Sequence, residues 1–124
     1  MNSLLSVREA SEQTGVSIYI LHYYEREGLL HTARTGSGHR RYSESDLEWI
    51  RILTCLRDTG MPIRTMRSFA ELVRQDHANV PERIRILEAH RTEVLDHIAA
   101  LKRNLEHVEG KIRHCREAVG KSGN

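Results

Sequence analysis

Aromatic residues are scarce in this 124-residue sequence, with one Trp, one Phe and four Tyr. Since only 39% of residues are hydrophobic, the chain can bury a modest core and no more. Cysteine occurs twice, at Cys55 and Cys115, too far apart for a CxxC pair and too few for a disulfide framework. No apolar run approaches the length of a membrane span, and no signal-peptide core follows Met1. The expected compartment is therefore the cytoplasm, with no membrane partner and both thiols reduced. No nucleophile with a base and an orienting group, no phosphate loop and no metal-ligand motif is present, so neither an enzyme nor a cofactor is expected.

Charge of one sign is also missing. The formal net charge is +2 and charged residues make up 29%, which is too balanced to argue for a polyanionic partner by itself. The acids Glu9, Glu12, Glu25, Glu27, Glu44 and Asp46 leave residues 1–46 close to neutral. Positive charge concentrates locally at Arg34, Arg40 and Arg41, flanked by His31 and His39.

Ser6-Val7-Arg8-Glu9 is a capping-box pattern, predicting a helix to about Thr14 that Gly15 closes. Ser17 caps a second helix over Ile18 to Glu27, closed by Gly28. Two short helices joined by a tight Gly-containing turn form a helix-turn-helix, although any helical hairpin would share these signals. The next segment narrows the choice. Leu30 to Arg34 and Arg40 to Tyr42 read as the arms of a hairpin around a flexible Gly36-Ser37-Gly38 tip. A basic hairpin directly after the second helix reads as a wing rather than as a solvated surface hairpin. Ser43-Glu44-Ser45-Asp46 caps a third helix running to about Thr59, with Leu47, Ile50, Leu53 and Leu56 as its buried stripe. Pro62 suits the first turn of a fourth helix reaching Gln75, with Met66, Phe69, Leu72 and Val73 apolar. The expected division is a DNA-binding unit over 1–75, a linker over 76–80, a long helix over 81–119 and a flexible tail over 120–124.

The last helix carries the clearest pattern. Ile84, Leu87, Arg91, Val94, Ile98, Leu101, Leu105, Val108, Ile112, Cys115 and Val119 alternate by three and four residues, an unbroken run of about five heptads. From Glu82 to Val119 it would extend roughly 57 Å, too long to lie wholly on so small a domain. A partner helix is needed to cover Ile84, Leu87, Val94, Ile98, Leu101, Leu105, Val108 and Ile112, which predicts a coiled-coil homodimer. Arg91 falls at a core position, where a charge is costly unless it reaches solvent or an acid on the partner.

Two segments carry a family resemblance. Residues Ser17-Ile18-Tyr19-Ile20-Leu21-His22-Tyr23-Tyr24-Glu25-Arg26-Glu27-Gly28-Leu29-Leu30 resemble the recognition helix of the MerR family of bacterial regulators. Ser37-Gly38-His39-Arg40-Arg41-Tyr42-Ser43-Glu44-Ser45-Asp46-Leu47 resemble that family's wing and third helix. The resemblance implies a mainly α fold, a winged helix-turn-helix followed by a long antiparallel coiled-coil helix. It implies a dimer on a pseudo-palindromic promoter that bends and untwists double-stranded DNA for RNA polymerase. It also implies a DNA-binding set of Ser17, Tyr19, His22, Tyr23, Arg40, Arg41, Tyr42, Met61 and Arg64. The family usually has Thr, Leu or Ile, and Arg before its paired tyrosines, where this sequence has Ile20, Leu21 and His22, and a basic or polar residue is common where Tyr19 stands. An imidazole donates a hydrogen bond but carries full charge only below a pKa of about 6.5 when unperturbed. His39 stands where a Tyr is frequent.

The stretches Cys55 to Arg64 and Val80 to Arg83 resemble the thiol-dependent branch of the family, which answers aldehydes, electrophiles or nitrosative stress (the NmlR or AdhR type). That resemblance implies Cys55 as the sensor. Arg51, one turn earlier, is expected to lower its thiol pKa; the bland alternative is a packed, inert cysteine beside Ile52 and Leu56. No effector domain is expected after the long helix. Two other readings stay open. In a metal-responsive regulator, His77, His90, His97, His107, His114 and Cys115 would supply ligands, against the lack of a close-spaced cysteine pair. In a coiled-coil interaction module, the winged helix would bind protein rather than DNA.

Overall fold

The computed structural model describes residues 4–75 and 79–122. Its elements run α1 (Val7–Thr14), α2 (Ile18–Arg26), β1 (Ala33–Arg34), β2 (Arg40–Arg41), α3 (Glu44–Asp58), α4 (Ile63–Arg74) and α5 (Val80–Ser122). The starts of α1, α2 and α3 are chemically marked by serine caps. Ser6 Oγ accepts from the Glu9 N–H at 3.2 Å while the Glu9 carboxylate accepts from the Ser6 N–H at 3.0 Å. The Ser6 N–H foremost, with its hydroxyl second, holds the Glu9 carboxyl below the usual carboxylate range. Ser43 and Asp46 repeat the reciprocal cap on α3 at 3.1 and 2.9 Å. Gly28, which carries the chain from α2 toward the wing, has φ of 73°, a left-handed conformation that a side chain disfavours.

Several boundaries differ from the sequence expectation, each for a visible reason. The wing ladder contains only Ala33↔Arg41 and Arg34↔Arg40. Leu30 leaves it because it is buried in the core. Tyr42 leaves it because it pairs with Leu5 instead, through reciprocal backbone bonds of 2.8 Å. The wing tip is closed rather than loose: the Thr35 N–H donates to the His39 carbonyl at 2.8 Å, and Ser37 Oγ bridges Thr35 Oγ1 and His39 Nδ1 at 2.9 and 3.0 Å. Pro62 caps α4 from outside rather than opening its first turn. Helix α5 begins at Val80, placing Pro81 just inside, where its missing N–H costs nothing. It continues through Gly120 and Lys121 to Ser122, into the segment expected to be a tail. Of the expected linker, 76–78 lie outside the described residues and Val80 is already helical.

The chain divides into two compact units, Met1–Ile86 and Leu87–Asn124. In the first, Leu21 and Tyr24 of α2, Leu29, Leu30, Tyr42, the α3 stripe Leu47, Ile50, Leu53 and Leu56, and Met66, Phe69 and Ala70 of α4 form one core. Its polar edges are tied inward. Trp49 Nε1 donates to the Leu29 carbonyl at 2.7 Å while its ring stacks on Phe69 at 5.9 Å, and Tyr24 Oη meets Thr54 Oγ1 at 3.0 Å. The second unit is the remainder of α5. Along the whole of α5, the heptad positions Ile84, Leu87, Ile98, Leu101, Leu105, Val108 and Ile112 are 40–56% exposed. Arg91, at a heptad core position, is likewise exposed and pairs with Glu88 at 3.6 Å.

Candidate nucleic-acid interface

Three predicted contact residues converge. His22 from the middle of α2 and Arg40 and Arg41 from the wing line one cleft of about 420 Å³, with Ser6, Gly38 and His39 beside them. A helix face, a capped helix N-terminus and a basic hairpin thereby share a single concave surface. Tyr19 projects from α2, 69% exposed, and Tyr23 is half-buried beneath it. Ser17 uses its hydroxyl to cap α2, accepting from the Ile20 N–H at 3.1 Å. Arg64 is exposed on the first turn of α4.

Tyr42 and Met61 do not belong to this surface. Both side chains are buried, Tyr42 completely, so neither of these two expected contact residues offers its side chain at this surface. Tyr42 fills the space that its pairing with Leu5 closes over. Met61 packs inward while its N–H closes the α3–α4 turn on the Leu56 carbonyl at 2.9 Å. Burial foremost, then the negative charge of Glu25, pushes the Tyr42 hydroxyl up to about 12.

Two residues outside the expected DNA-binding set organise the surface. Glu25, with only 10% of its side chain exposed, accepts from Arg40 Nε, lies 3.9 Å from Arg34 and accepts from Thr32 Oγ1 at 2.7 Å. This carboxylate on α2 ties down both wing strands. Arg40 is thus held against the protein, and Arg41 is the wing arginine with no ion pair in the structure among the described residues. Arg26 lies over the rings of Tyr19 and Tyr23, at 5.9 and 6.0 Å from their centroids, which places an exposed guanidinium on the outer face of α2. Their spacing of three, four and seven residues on a helix was the available signal for this cluster. The Glu25 latch crosses fifteen residues and had none.

Both cysteines are exposed. Cys55 is therefore not packed away beside Ile52 and Leu56, and Arg51 turns elsewhere, donating to the Gln13 carbonyl at 3.4 Å. Among the described residues, no three His, Cys, Asp or Glu side chains are grouped to hold a metal; His77 lies outside those residues. No helix of the described residues is long and apolar enough to cross a membrane.

A helix-turn-helix followed by a wing bearing arginines defines a winged-helix protein of the nucleic-acid-binding class. Comparison with known proteins narrows it. The model of the MerR HTH family regulatory proteins matches residues 5–72, and a second, described as MerR, DNA binding, matches 47–111. An uncharacterised HTH-type transcriptional regulator of Haemophilus influenzae is 36% identical over 111 residues, 89% of this chain and 82% of that protein. The HTH-type transcriptional regulator AdhR of Bacillus subtilis is 30% identical over 93 residues, 74% of this chain and 66% of that one. The crystal structure of HiNmlR, a MerR family regulator lacking the sensor domain and bound to promoter DNA, superposes with a TM-score of 0.86 at 34% identity, covering 94% of this chain and 93% of that one. The chain belongs to the MerR family, and it is a DNA-binding transcriptional regulator with a mostly helical fold.

Proposed function

We propose that the chain binds a pseudo-palindromic promoter element as a homodimer, distorts the DNA for RNA polymerase in the cytoplasm, and is switched by covalent modification of Cys55. The observation that carries this reading is the uncovered apolar stripe of α5. Seven heptad side chains stay 40–56% exposed along a helix of 43 residues, about 65 Å long. A second copy of the same stripe covers it in heptad register, in an antiparallel pair. Two DNA-binding units then engage two half-sites at once. The crystallised complex of HiNmlR with promoter DNA supports the choice of partner. On DNA, Arg26, His22 and Arg41 supply donors from α2 and the wing, and Tyr19 supplies a ring at the helix surface.

Dimerisation also distinguishes the two thiols. Cys115 is a seam residue and becomes covered, which leaves Cys55 on the outer face of α3 as the thiol open to solvent. Its thiolate adds to an aldehyde carbonyl, and the new oxyanion takes up the proton that the thiol released. The likeness to AdhR supports this branch of the family. Sedimentation of Leu101→Glu tests the dimer. A carboxylate in the seam costs several kcal/mol and should leave monomers with little operator affinity, whereas an intact dimer would refute the register. In vitro transcription with and without aldehyde tests the switch. Cys55→Ser should bind the operator yet lose the response, while Cys115→Ser should keep it. A normal response from Cys55→Ser removes Cys55 as the sensor.

A further inference from the structure

Helix α2 turns two different faces to its surroundings. Leu21 and Tyr24 are buried in the core, whereas Tyr19, His22, Tyr23 and Arg26 recur at intervals of three and four residues on the other side. Tyr19 and Arg26 are the exposed members of that row. The Arg26 guanidinium lies over two rings, 5.9 Å from the centroid of Tyr19 and 6.0 Å from that of Tyr23. Tyr19 is the second residue of α2 and Arg26 is the last, so the guanidinium sits back along the helix rather than beyond its C-terminal end. In a helix-turn-helix, the N-terminal part of the second helix is what meets the base edges.

The charges beside Arg26 leave it positive. Its two neighbours in sequence are acids, and both are engaged elsewhere. Glu25 holds Arg34 and Arg40 of the wing, and Glu27 accepts from Arg67 of α4. Arg26 itself has no ion pair among the described residues; its contacts are the two rings. An arginine loose in water spreads its planar fork over many rotamers. An aromatic support narrows them and lowers the cost of ordering when the fork finds a partner.

A phosphate requires little more than charge, a role that Arg41 of the wing can serve. A fork held in place suits a guanine edge, whose O6 and N7 acceptors lie side by side in the major groove. Resting on the reading of the chain as a dimer that puts α2 against promoter DNA, we infer that Arg26 reads one guanine in each half-site. Tyr19 and Tyr23 are the positioning residues that hold its fork.

The full chain is used to select from a library of random DNA duplexes, and each enriched guanine is then replaced in turn by 7-deazaguanine. That base keeps its pairing with cytosine and lacks the N7 acceptor. At one position in each half-site the wild-type chain should lose about tenfold in affinity, equivalent to about 1.4 kcal/mol, and Arg26→Ala should show no such loss there. Tyr19→Ala should shrink the discrimination between the two bases, while Tyr19→Phe, which keeps the ring, should retain it. This ratio, unlike overall affinity, is not moved by a general defect in folding. If Arg26→Ala weakens selected and random DNA by the same factor, with the salt slope lower by about one unit, Arg26 is a phosphate contact and the assignment falls. It falls equally if Arg26→Ala removes sensitivity to 7-deazaguanine at no position. A chain that enriches no sequence at all would instead overturn the promoter-binding reading, and this assignment with it.

Discussion

The Glu25 latch predicts that adjacent wing arginines behave differently. The Glu25 side chain is 10% exposed and that of Arg40 is 30%, so the pair lies between a surface bridge, worth at most about 1 kcal/mol, and a buried one. A charge-assisted hydrogen bond in that setting contributes about 1.5–3 kcal/mol before screening. A double-mutant cycle of Glu25→Ala with Arg40→Ala should therefore show a coupling of about 1–2 kcal/mol in urea denaturation at fixed protomer concentration. DNA binding provides the sharper contrast. Since Glu25 already offsets Arg40, Arg40→Ala should barely alter the slope of log affinity against log salt. Arg41→Ala should lower it by about one unit, the signature of one lost phosphate contact. Glu25→Gln releases Arg34 and Arg40 together and should steepen the slope on random DNA while lowering discrimination for the operator, because the wing loses its fixed position. Equal losses of slope in Arg40→Ala and Arg41→Ala, with a coupling near zero, would refute the latch.

Two further predictions concern stability. Tyr42 Oη is buried without a hydrogen-bond partner among the described residues, so Tyr42→Phe should be neutral or stabilising by about 1 kcal/mol in chemical denaturation, and a clear loss would reveal a partner. The folded-state pKa of this hydroxyl, about 12, is raised above the ordinary value near 10. Stability from Tyr42 is thus fully present below pH 10 and is lost as pH rises through 12; Tyr42→Phe should lack that component of alkaline destabilisation. Gly110 lies within α5, where a Cβ would meet only the tip of Arg113 at 3.6 Å. Gly110→Ala should therefore raise the thermal transition, by an amount corresponding to about 0.5–1 kcal/mol. A lowered transition would mean that another backbone approaches the helix there.

Local chemistry alone determined much of this protein. The hydroxyl caps at Ser6, Ser17 and Ser43, the glycines after the helices, and the apolar spacing of Leu47, Ile50, Leu53 and Leu56 act within a few residues, so they were legible without coordinates. The heptads of α5 were legible for the same reason, because a periodic stripe needs no knowledge of the rest of the chain. The YYERxGL and RRY segments marked the two parts of the interface, and His22, Arg40 and Arg41 do meet in one cleft. What depended on tertiary structure was which side of each residue faces water. Tyr42 sits beside two wing arginines in sequence yet is buried, because Leu5 returns from the N-terminus to pair with it. Arg40 and Arg41 are neighbours lining one cleft, yet only Arg40 is paired, because Glu25 of α2 reaches it across fifteen residues. Cys55 lies exposed rather than packed beside Ile52 and Leu56, because the core draws in Leu53 and Leu56 on either side of it. Such distinctions rest on contacts between residues distant along the chain, and only the folded arrangement brings those residues together.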